Sequence, residues 1–281
     1  MTVGAVIFAQ NNSIIDYVKI AIFAANRATK FLNIPVSLIT DNVKYLNDTY
    51  PDHPFDQVIE IPAEKPTSKK FYDGTLSAKL VEWKNLSRNS VYDLTPYDRT
   101  LVLDSDYIIN SNILKLALDT DSDFQIYRKS FDLAGWRDTS AFERINCYSI
   151  PFYWATVFVF DKNPIIKSFF DLISYIKSNW FYFRVLYSIE NAMYRNDIAF
   201  SIAIHLMNGK TNGEFVTDLP GQMFYTIDKD ILLDINDQKM QFLVEKEKHL
   251  GEYIAAKIED TDVHVMNKSS IIRYIDGGYG V

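Results

Sequence analysis

The sequence predicts an α/β fold with a mainly parallel central sheet flanked by helices. Two observations carry that expectation. Apolar runs of strand length, among them Val3–Ala9 and Trp154–Phe160, suit strands buried on both faces. Between the early runs lie stretches whose apolar residues recur at helical spacing, and strand alternating with helix indicates βαβ units.

The elements follow in order. Val3–Ala9 stops at Gln10-Asn-Asn12. Ser13 can cap a helix whose apolar positions Ile14, Val18, Ala21, Ile22, Ala25 and Ala28 share a face. Pro35 ends the connection, Val36–Thr40 is a second strand stopped by Asp41-Asn42, and Phe55–Ile61 is a third. Thr75–Leu86 reads as a helix with Leu76, Leu80 and Trp83 on one face. Tyr97–Asp106 is the next strand, Ser111–Leu118 a helix and Asp123–Tyr127 a strand. Arg128–Pro151 has no clear period, contains Gly135-Trp136-Arg137-Asp138, and reads as a long functional loop. After the strand Trp154–Phe160, Asn163-Pro164 opens a helix in cap-then-proline order that runs towards Ser178. Asp197–Met207 is helical, Gly209–Gly213 ends it, and Val263–Met266 is a short late strand. No internal repeat, low-complexity tract or linker interrupts this order, which points to one domain over 1–281.

The 19 Phe, 18 Tyr and 4 Trp fit two uses, a Phe-rich core and Tyr or Trp faces for stacking on sugars or bases. A net charge of −7 disfavours an overall electrostatic grip on nucleic acid and leaves only a local basic groove. Two basic clusters could form one: Lys69, Lys70, Lys84 and Arg88, or Arg128, Lys129 and Arg137. Ordinary solvated side chains are the alternative for both. The single cysteine, Cys147, excludes an intrachain disulfide and any Cys-rich zinc site. Met1–Ala9 has no basic segment and runs into polar residues, so it reads as a first strand and not as a signal peptide. No apolar run reaches the length of a membrane span. A soluble cytoplasmic protein is the expectation.

The chemistry concentrates in Thr100–Ile109. Leu101-Val-Leu103 delivers Asp104 and Asp106 to the end of a buried strand, and Tyr107-Ile-Ile109 follows. Alternate side chains of a strand project to one side, so both carboxylates can aim at one point. They repel unless a positive charge lies between them, and a divalent cation with oxygen ligands meets that need. The bare Asp-X-Asp pattern also occurs at Asp119/Asp121, Asp121/Asp123, Asp228/Asp230 and Asp260/Asp262, where solvated turns account for it. The 104/106 copy differs because it interrupts an otherwise buried run, and charged side chains are seldom fully buried unless paired. Neither Gly-X-Gly-X-X-Gly nor a Walker A motif is present, so phosphate must be held by metal and basic side chains.

In the order of these parts the chain resembles the GT-A glycosyltransferases, most closely the family-8-like, mostly retaining group. The resemblance is carried by Val3–Ala9, Leu101–Asp106, Trp154–Phe160, Asn196-Asp197-Ile-Ala-Phe200 and Val263-His264-Val-Met-Asn-Lys268, and it runs to Ile275. It implies a Rossmann-like nucleotide-binding half, 1–110, and an acceptor half, 111–281. It implies that Asp104, Asp106 and His264 hold Mn²⁺ or Mg²⁺, which grips the diphosphate of a nucleotide sugar, usually a UDP-sugar. Imidazole nitrogen with two carboxylates suits Mn²⁺; a satisfied structural histidine is the alternative for His264. Phe8, Ala9 and Gln10 at the end of strand one, and Asp41 at the end of strand two, would contact the nucleotide. Ser105 lies between the metal aspartates, Lys79 on the preceding helix near the phosphates, and Lys268 beside the diphosphate. A turn aspartate and a solvated helix lysine are the alternatives for Asp41 and Lys79. Asn196 or Asp197 would face the anomeric carbon, where a carboxylate favours oxocarbenium-like charge; a helix cap is the alternative for Asp197. Two departures stand out. Asn267-Lys268-Ser-Ser270 replaces the families' Gly and Lys-Pro-Trp, and Arg195-Asn196-Asp197 replaces their frequent Asp-Gln-Asp.

The implied function is metal-dependent transfer of a hexosyl or pentosyl group to a hydroxyl of a glycan or small sugar. A phage-encoded enzyme glycosylating hydroxymethylated bases of DNA in the host cytoplasm is the alternative; it needs a basic aromatic surface beside the donor site, and a flipped base is one way to reach the modified position. A nucleotide-sugar-binding protein without catalysis is a third reading. Haloacid-dehalogenase-like phosphotransferases also place Asp-X-Asp after a strand, but on their first strand; here βα structure precedes it. Trp180-Phe-Tyr-Phe-Arg184, with Tyr187 and Tyr194, fits core packing, a membrane interface or an acceptor groove. The loop Arg128–Pro151 is expected to close over the donor and help choose the acceptor. Arg128, Lys129 and Arg137 would meet DNA phosphates, or Trp136 would stack on a sugar, with Tyr148 nearby.

Overall fold

β1 (Val3–Phe8) leads to α1 (Tyr17–Leu32), β2 (Val36–Thr40), α2 (Val43–Thr49) and β3 (Val58–Glu60). A hairpin of β4 (Thr67–Tyr72) and β5 (Ala78–Trp83) follows, then α3 (Val91–Leu94), β6 (Arg99–Asp104), β7 (Tyr107–Ile108) and α4 (Lys115–Leu118). β8 (Phe124–Tyr127), β9 (Ser130–Asp132) and β10 (Trp154–Asp161) precede α5 (Pro164–Ser178), α6 (Trp180–Leu186) and α7 (Asn196–Met207). Then come β11 (Met223–Thr226), a meander of β12 (Ile231–Asn236), β13 (Lys239–Glu245) and β14 (Tyr253–Glu259), β15 (Val263–Val265) and α8 (Lys268–Asp276). This computed structural model describes residues 1–277 apart from 64, 66, 85, 86, 147, 148, 192, 212 and 247–250. Cys147 and Tyr148 therefore lie outside the described residues.

The central sheet has the order β3-β2-β1-β6-β10-β8. β3, β2, β1 and β6 run parallel, and β10 lies antiparallel between β6 and β8. This is the mainly parallel sheet that the apolar runs require, and β2 and β10 are buried almost end to end. At Gly4 a Cβ would come within 2.4 Å of the Tyr97 ring, so β1 needs glycine there. The Tyr97 hydroxyl in turn lies 2.7 Å from Ser37 Oγ on β2. α1 packs on β1 and β2, while α7 packs on β10 and on α5. Phe124, Phe158, Phe169, Phe170 and Phe200 interlock there, which is the Phe-rich core. Asn163 caps α5 as its sequence suggests, its side chain accepting from Ile166 N at 2.9 Å.

A second sheet, β7-β15-β11-β9, carries the late strand β15 back beside β7. The β12–β13–β14 meander packs Leu232, Ile235, Met240 and Phe242 into a separate core with Ile271 and Tyr274 of α8.

Some elements differ from expectation. Asp16, and not Ser13, caps α1, accepting from Lys19 N at 3.0 Å. In place of the helix expected over Thr75–Leu86, Ala78–Trp83 form β5 of the β4–β5 hairpin, whose turn holds Gly74 at φ +73°; 85 and 86 lie outside the described residues. Leu76 and Leu80, the supposed inward face, are 95% and 73% exposed, and the hairpin buries Phe71 and Val81 instead. β6 ends at Asp104, so Asp106 lies in the turn to β7. Ser111–Leu118 is helical only from Lys115. Arg128–Pro151 contains β9 and a single helical turn at Ser140–Phe142. In α6, Phe183 is buried while Phe181, Tyr182, Val185 and Leu186 are exposed. Among the described residues no helix is long and apolar enough to cross a membrane.

Candidate functional site

The site forms where β6 stops. Asp104 closes the strand, and Ser105 and Asp106 make the turn into β7. β7 pairs with β15 in the register Tyr107 to His264, and Val265 N donates to the Asp106 carbonyl at 2.9 Å. That pairing sets His264 Nε2 3.3 Å from Asp106 Oδ2. One ligand atom from each of Asp104, Asp106 and His264 lies within 4.8 Å of the others. Trp154 meets the imidazole edge to face at 6.1 Å between centroids, which limits its rotation. α8 starts directly after. Buried Asn267 caps it by accepting from Ser270 N at 3.0 Å, and its Nδ2 donates to Asp230 O at 2.9 Å. Lys268, the first residue of α8, is thereby held with Nζ 2.5 Å from Asp106 Oδ2. The Arg88 guanidinium donates to Asp104 and to the Ala155 carbonyl.

These groups open on a cleft of about 420 Å³, a volume suited to a small ligand. Phe8, Gln10, Ser105, Asn196 and Asp197 line it as well. Asp197 Oδ1 accepts from Ala155 N at 2.9 Å, which ties α7 to β10, and its Oδ2 accepts from Arg195 at 3.1 Å. The β4–β5 hairpin adds a further wall with Lys69, Phe71 and Trp83. There Lys69 Nζ lies 5.3 Å from the centre of the Phe71 ring and 5.6 Å from that of Trp83. Five basic side chains (Lys69, Lys84, Arg88, Arg195, Lys268) and four acidic ones (Asp104, Asp106, Asp197, Asp228) line the cleft. On a chain of net charge −7, that local positive excess favours an anion.

Burial pushes the Asp104 carboxyl up in spite of the Arg88 guanidinium. Burial acts on Asp106 too, but the Lys268 ammonium and His264 overcome it and hold that carboxyl well below the usual range. Burial, then the Lys268 and Arg195 charges, pull the Lys69 ammonium down to about 8. Carboxylate oxygens with one imidazole form a donor set that Mn²⁺ or Mg²⁺ accepts, so the residues present fit a divalent ion. Gln10 Nε2, Tyr17 Oη, Trp154 Nε1 and His264 Nδ1 are buried with no hydrogen-bond partner among the described residues, and all four residues line the cleft. Unpaired buried polar groups are costly, and their gathering at one cleft points to a ligand.

Other expected site residues stand elsewhere. Ala9 is buried and does not line the cleft. Asp41 Oδ2 accepts from Lys84 Nζ at 3.1 Å, so it steadies a lysine that lines the cleft and does not line it itself. Lys79 is exposed on β5, because the helix meant to carry it is a hairpin. Arg137 is taken up by Asp132 and Asp230, at 2.8 Å and 2.7 Å, and is not free to meet a phosphate. Asp230 and Asp262 are buried and not in solvated turns. Asp262 Oδ1 accepts from the backbone of Asn110 and Ser111, at 2.7 Å and 2.8 Å, fixing the chain beyond β7. Lys69, Lys84 and Arg88 belong to the basic cluster seen in the sequence, but nothing local marked them as cleft residues.

No protein-family model and no curated protein matches the chain. Solved structures do. The glycosyltransferase GlyE of Streptococcus pneumoniae TIGR4 matches with a TM-score of 0.43 at 12% identity, over 78% of this chain and 45% of GlyE. The bifunctional IspDF of Campylobacter jejuni gives 0.42 at 14% identity, over 79% and 50%. The galactosyltransferase LgtC, in complex with donor and acceptor sugar analogs, gives 0.42 at 15% identity, over 76% and 72%. The chain thus spans no more than half the length of the first two.

Proposed function

We propose that the chain is a metal-dependent glycosyltransferase that moves a sugar from a nucleotide diphosphate, a UDP-sugar, to a hydroxyl acceptor. One observation carries the reading. Asp104, Asp106 and His264 converge on a cleft that also gathers Lys69, Lys84, Arg88, Arg195 and Lys268. Two carboxylates and an imidazole suit a divalent cation, the basic side chains suit an anion, and a metal-bound diphosphate satisfies both. A Mn²⁺ or Mg²⁺ ion held there would neutralise the diphosphate as a leaving group.

The chain's own residues have these roles in the proposal. Phe8 and Gln10 meet the nucleoside, with Phe71 and Trp83 as stacking faces, and Asp41 orients Lys84. Arg88 and Lys268, beside the metal aspartates, bind diphosphate oxygens. Asp197, anchored by Ala155 N, keeps a negative charge near the anomeric carbon and steadies oxocarbenium-like charge, while Asn196 orients the acceptor. Phe142, from the 128–151 segment, helps keep water out of the cleft. The donor would be held mainly by 1–110 and the acceptor by 111–281 of one domain.

Incubating the pure protein with Mn²⁺, a panel of nucleotide sugars, and glycan, small-sugar or hydroxymethylated DNA acceptors tests this. Mn²⁺-dependent release of UDP, increased by an acceptor, is expected. Donor binding with no release would leave only a nucleotide-sugar-binding protein, and transfer to DNA alone would identify the nucleic-acid acceptor.

A further inference from the structure

Beside the donor cleft lies a second cavity of about 510 Å³, and Phe142 lines both. Its walls come from β9, the helical turn at Ser140–Phe142 and the bridged pair Arg144 and Pro151. Three exposed cations line it, Arg128, Lys129 and Arg144. Among the described residues none of the three forms an ion pair, and Arg144 donates to the Ser149 carbonyl at 2.7 Å. Glu143 is the exposed carboxylate there. Arg137 stiffens the wall by bridging Asp132 and Asp230. It occupies Oδ2 of Asp132, leaving Oδ1 buried with no partner among the described residues. Asp132 is itself more than nine-tenths buried and lines the cavity. Phe131, 40% exposed, adds an aromatic face to that of Phe142.

Each feature selects one part of a ligand. Cations without anionic partners select an acidic group. A buried carboxylate oxygen without a donor selects a hydroxyl. Aromatic faces select the apolar face of a pyranose ring. We infer that this cavity binds a sugar carrying an acidic group, a carboxylate or a phosphate. Its shared Phe142 wall sets such a sugar next to a donor in the cleft. That the bound sugar is the acceptor rests on the glycosyltransferase reading; that it binds does not. Duplex DNA fits less well, because it needs an extended basic surface and this site is a cavity of small-ligand size.

Calorimetric titration with glucose, glucuronate and glucose 6-phosphate, without metal or donor, tests the inference. At least one acid should bind roughly tenfold or more tightly than glucose, with affinity falling as salt rises. The Arg128→Ala/Lys129→Ala variant should lose that preference. Which acid is preferred separates a carboxylate ligand from a phosphate. Equal or absent binding of the three sugars would overturn the inference. So would a preference unchanged in both that variant and Arg144→Ala, or tighter binding of a duplex oligonucleotide through the same side chains. An intact acid preference in a protein that turns over no nucleotide sugar would support this site and count against the donor reading alone.

Discussion

The Lys268 ammonium lies 2.5 Å from Oδ2 of Asp106, whose carboxylate also belongs to the Asp104–Asp106–His264 group that could hold a metal. A metal held there would compete with the lysine for one carboxylate until an anionic ligand gave the lysine another partner. Lys268→Ala should tighten Mn²⁺ binding without nucleotide, by roughly tenfold, because a neighbouring positive charge is removed. UDP binding should weaken in the same variant. Unchanged or weaker Mn²⁺ affinity in a folded Lys268→Ala protein would show that the two cations do not share this carboxylate.

The same pairing makes a simple Asp106→Asn test ambiguous. It leaves the Lys268 ammonium buried without its anion, which costs about 3 kcal/mol. Asp106→Asn/Lys268→Met should regain most of that stability in urea denaturation and still show turnover roughly a hundredfold or more below that of Lys268→Met alone. Near-normal Mn²⁺-dependent turnover in the double variant would sink the metal assignment.

His264→Ala removes one donor atom and keeps both carboxylates. The Mn²⁺ concentration for half-maximal turnover should rise roughly tenfold or more, with saturating metal restoring much of the rate. A rate insensitive to the substitution at limiting metal would return His264 to a structural role.

The parts legible in the sequence are those that local pattern alone decides. Val36–Thr40 and Trp154–Asp161 are mostly apolar stretches of strand length, and Asn163-Pro164 fixes the start of α5 through its own side chain. Asp104 and Asp106 were legible because two charges break a buried run. The hairpin of β4 and β5 was not, because its exposed Leu76 and Leu80 imitate a helix face and only Phe71 and Val81 turn inward. Lys69 and Arg88 look like solvated cations until the fold brings them to one cleft, where Arg88 is buried and the carbonyl it bonds belongs to distant Ala155. Asp230 looks like a turn residue for the same reason, since its partner Arg137 lies 93 positions away.

Asp197 carries both a structural and a chemical assignment, and one substitution separates them. The Asn side chain can still accept from Ala155 N, so Asp197→Asn should change stability by no more than about 1 kcal/mol. If its charge acts on the anomeric carbon, kcat should fall by roughly tenfold or more with the donor KM little changed. An unchanged kcat would leave Asp197 only as the tie between α7 and β10.

Asp262 should make stability depend on pH in the direction opposite to a salt-bridged aspartate. Burial pushes its carboxyl from 3.8 up to about 6, and hydrogen bonds from Asn110 and Ser111 offset that only in part. Oδ2 has no partner among the described residues. With the folded value raised, the folded state keeps a proton that the unfolded chain gives up. This contribution is fully present below about 3.8 and is lost as pH rises through about 6. At neutral pH the protein then bears an ionised, buried carboxylate, at a cost on the order of 3 kcal/mol. Asp262→Asn retains an acceptor for the Asn110 and Ser111 amides and removes the charge. Its stability relative to the parent should therefore increase by about 1–3 kcal/mol between about pH 4 and pH 7, measured by thermal or urea unfolding across that range. Taking the difference between the two proteins cancels every other titrating group. A difference that stays flat with pH would mean that Asp262 ionises as an ordinary aspartate and that its burial carries no such cost.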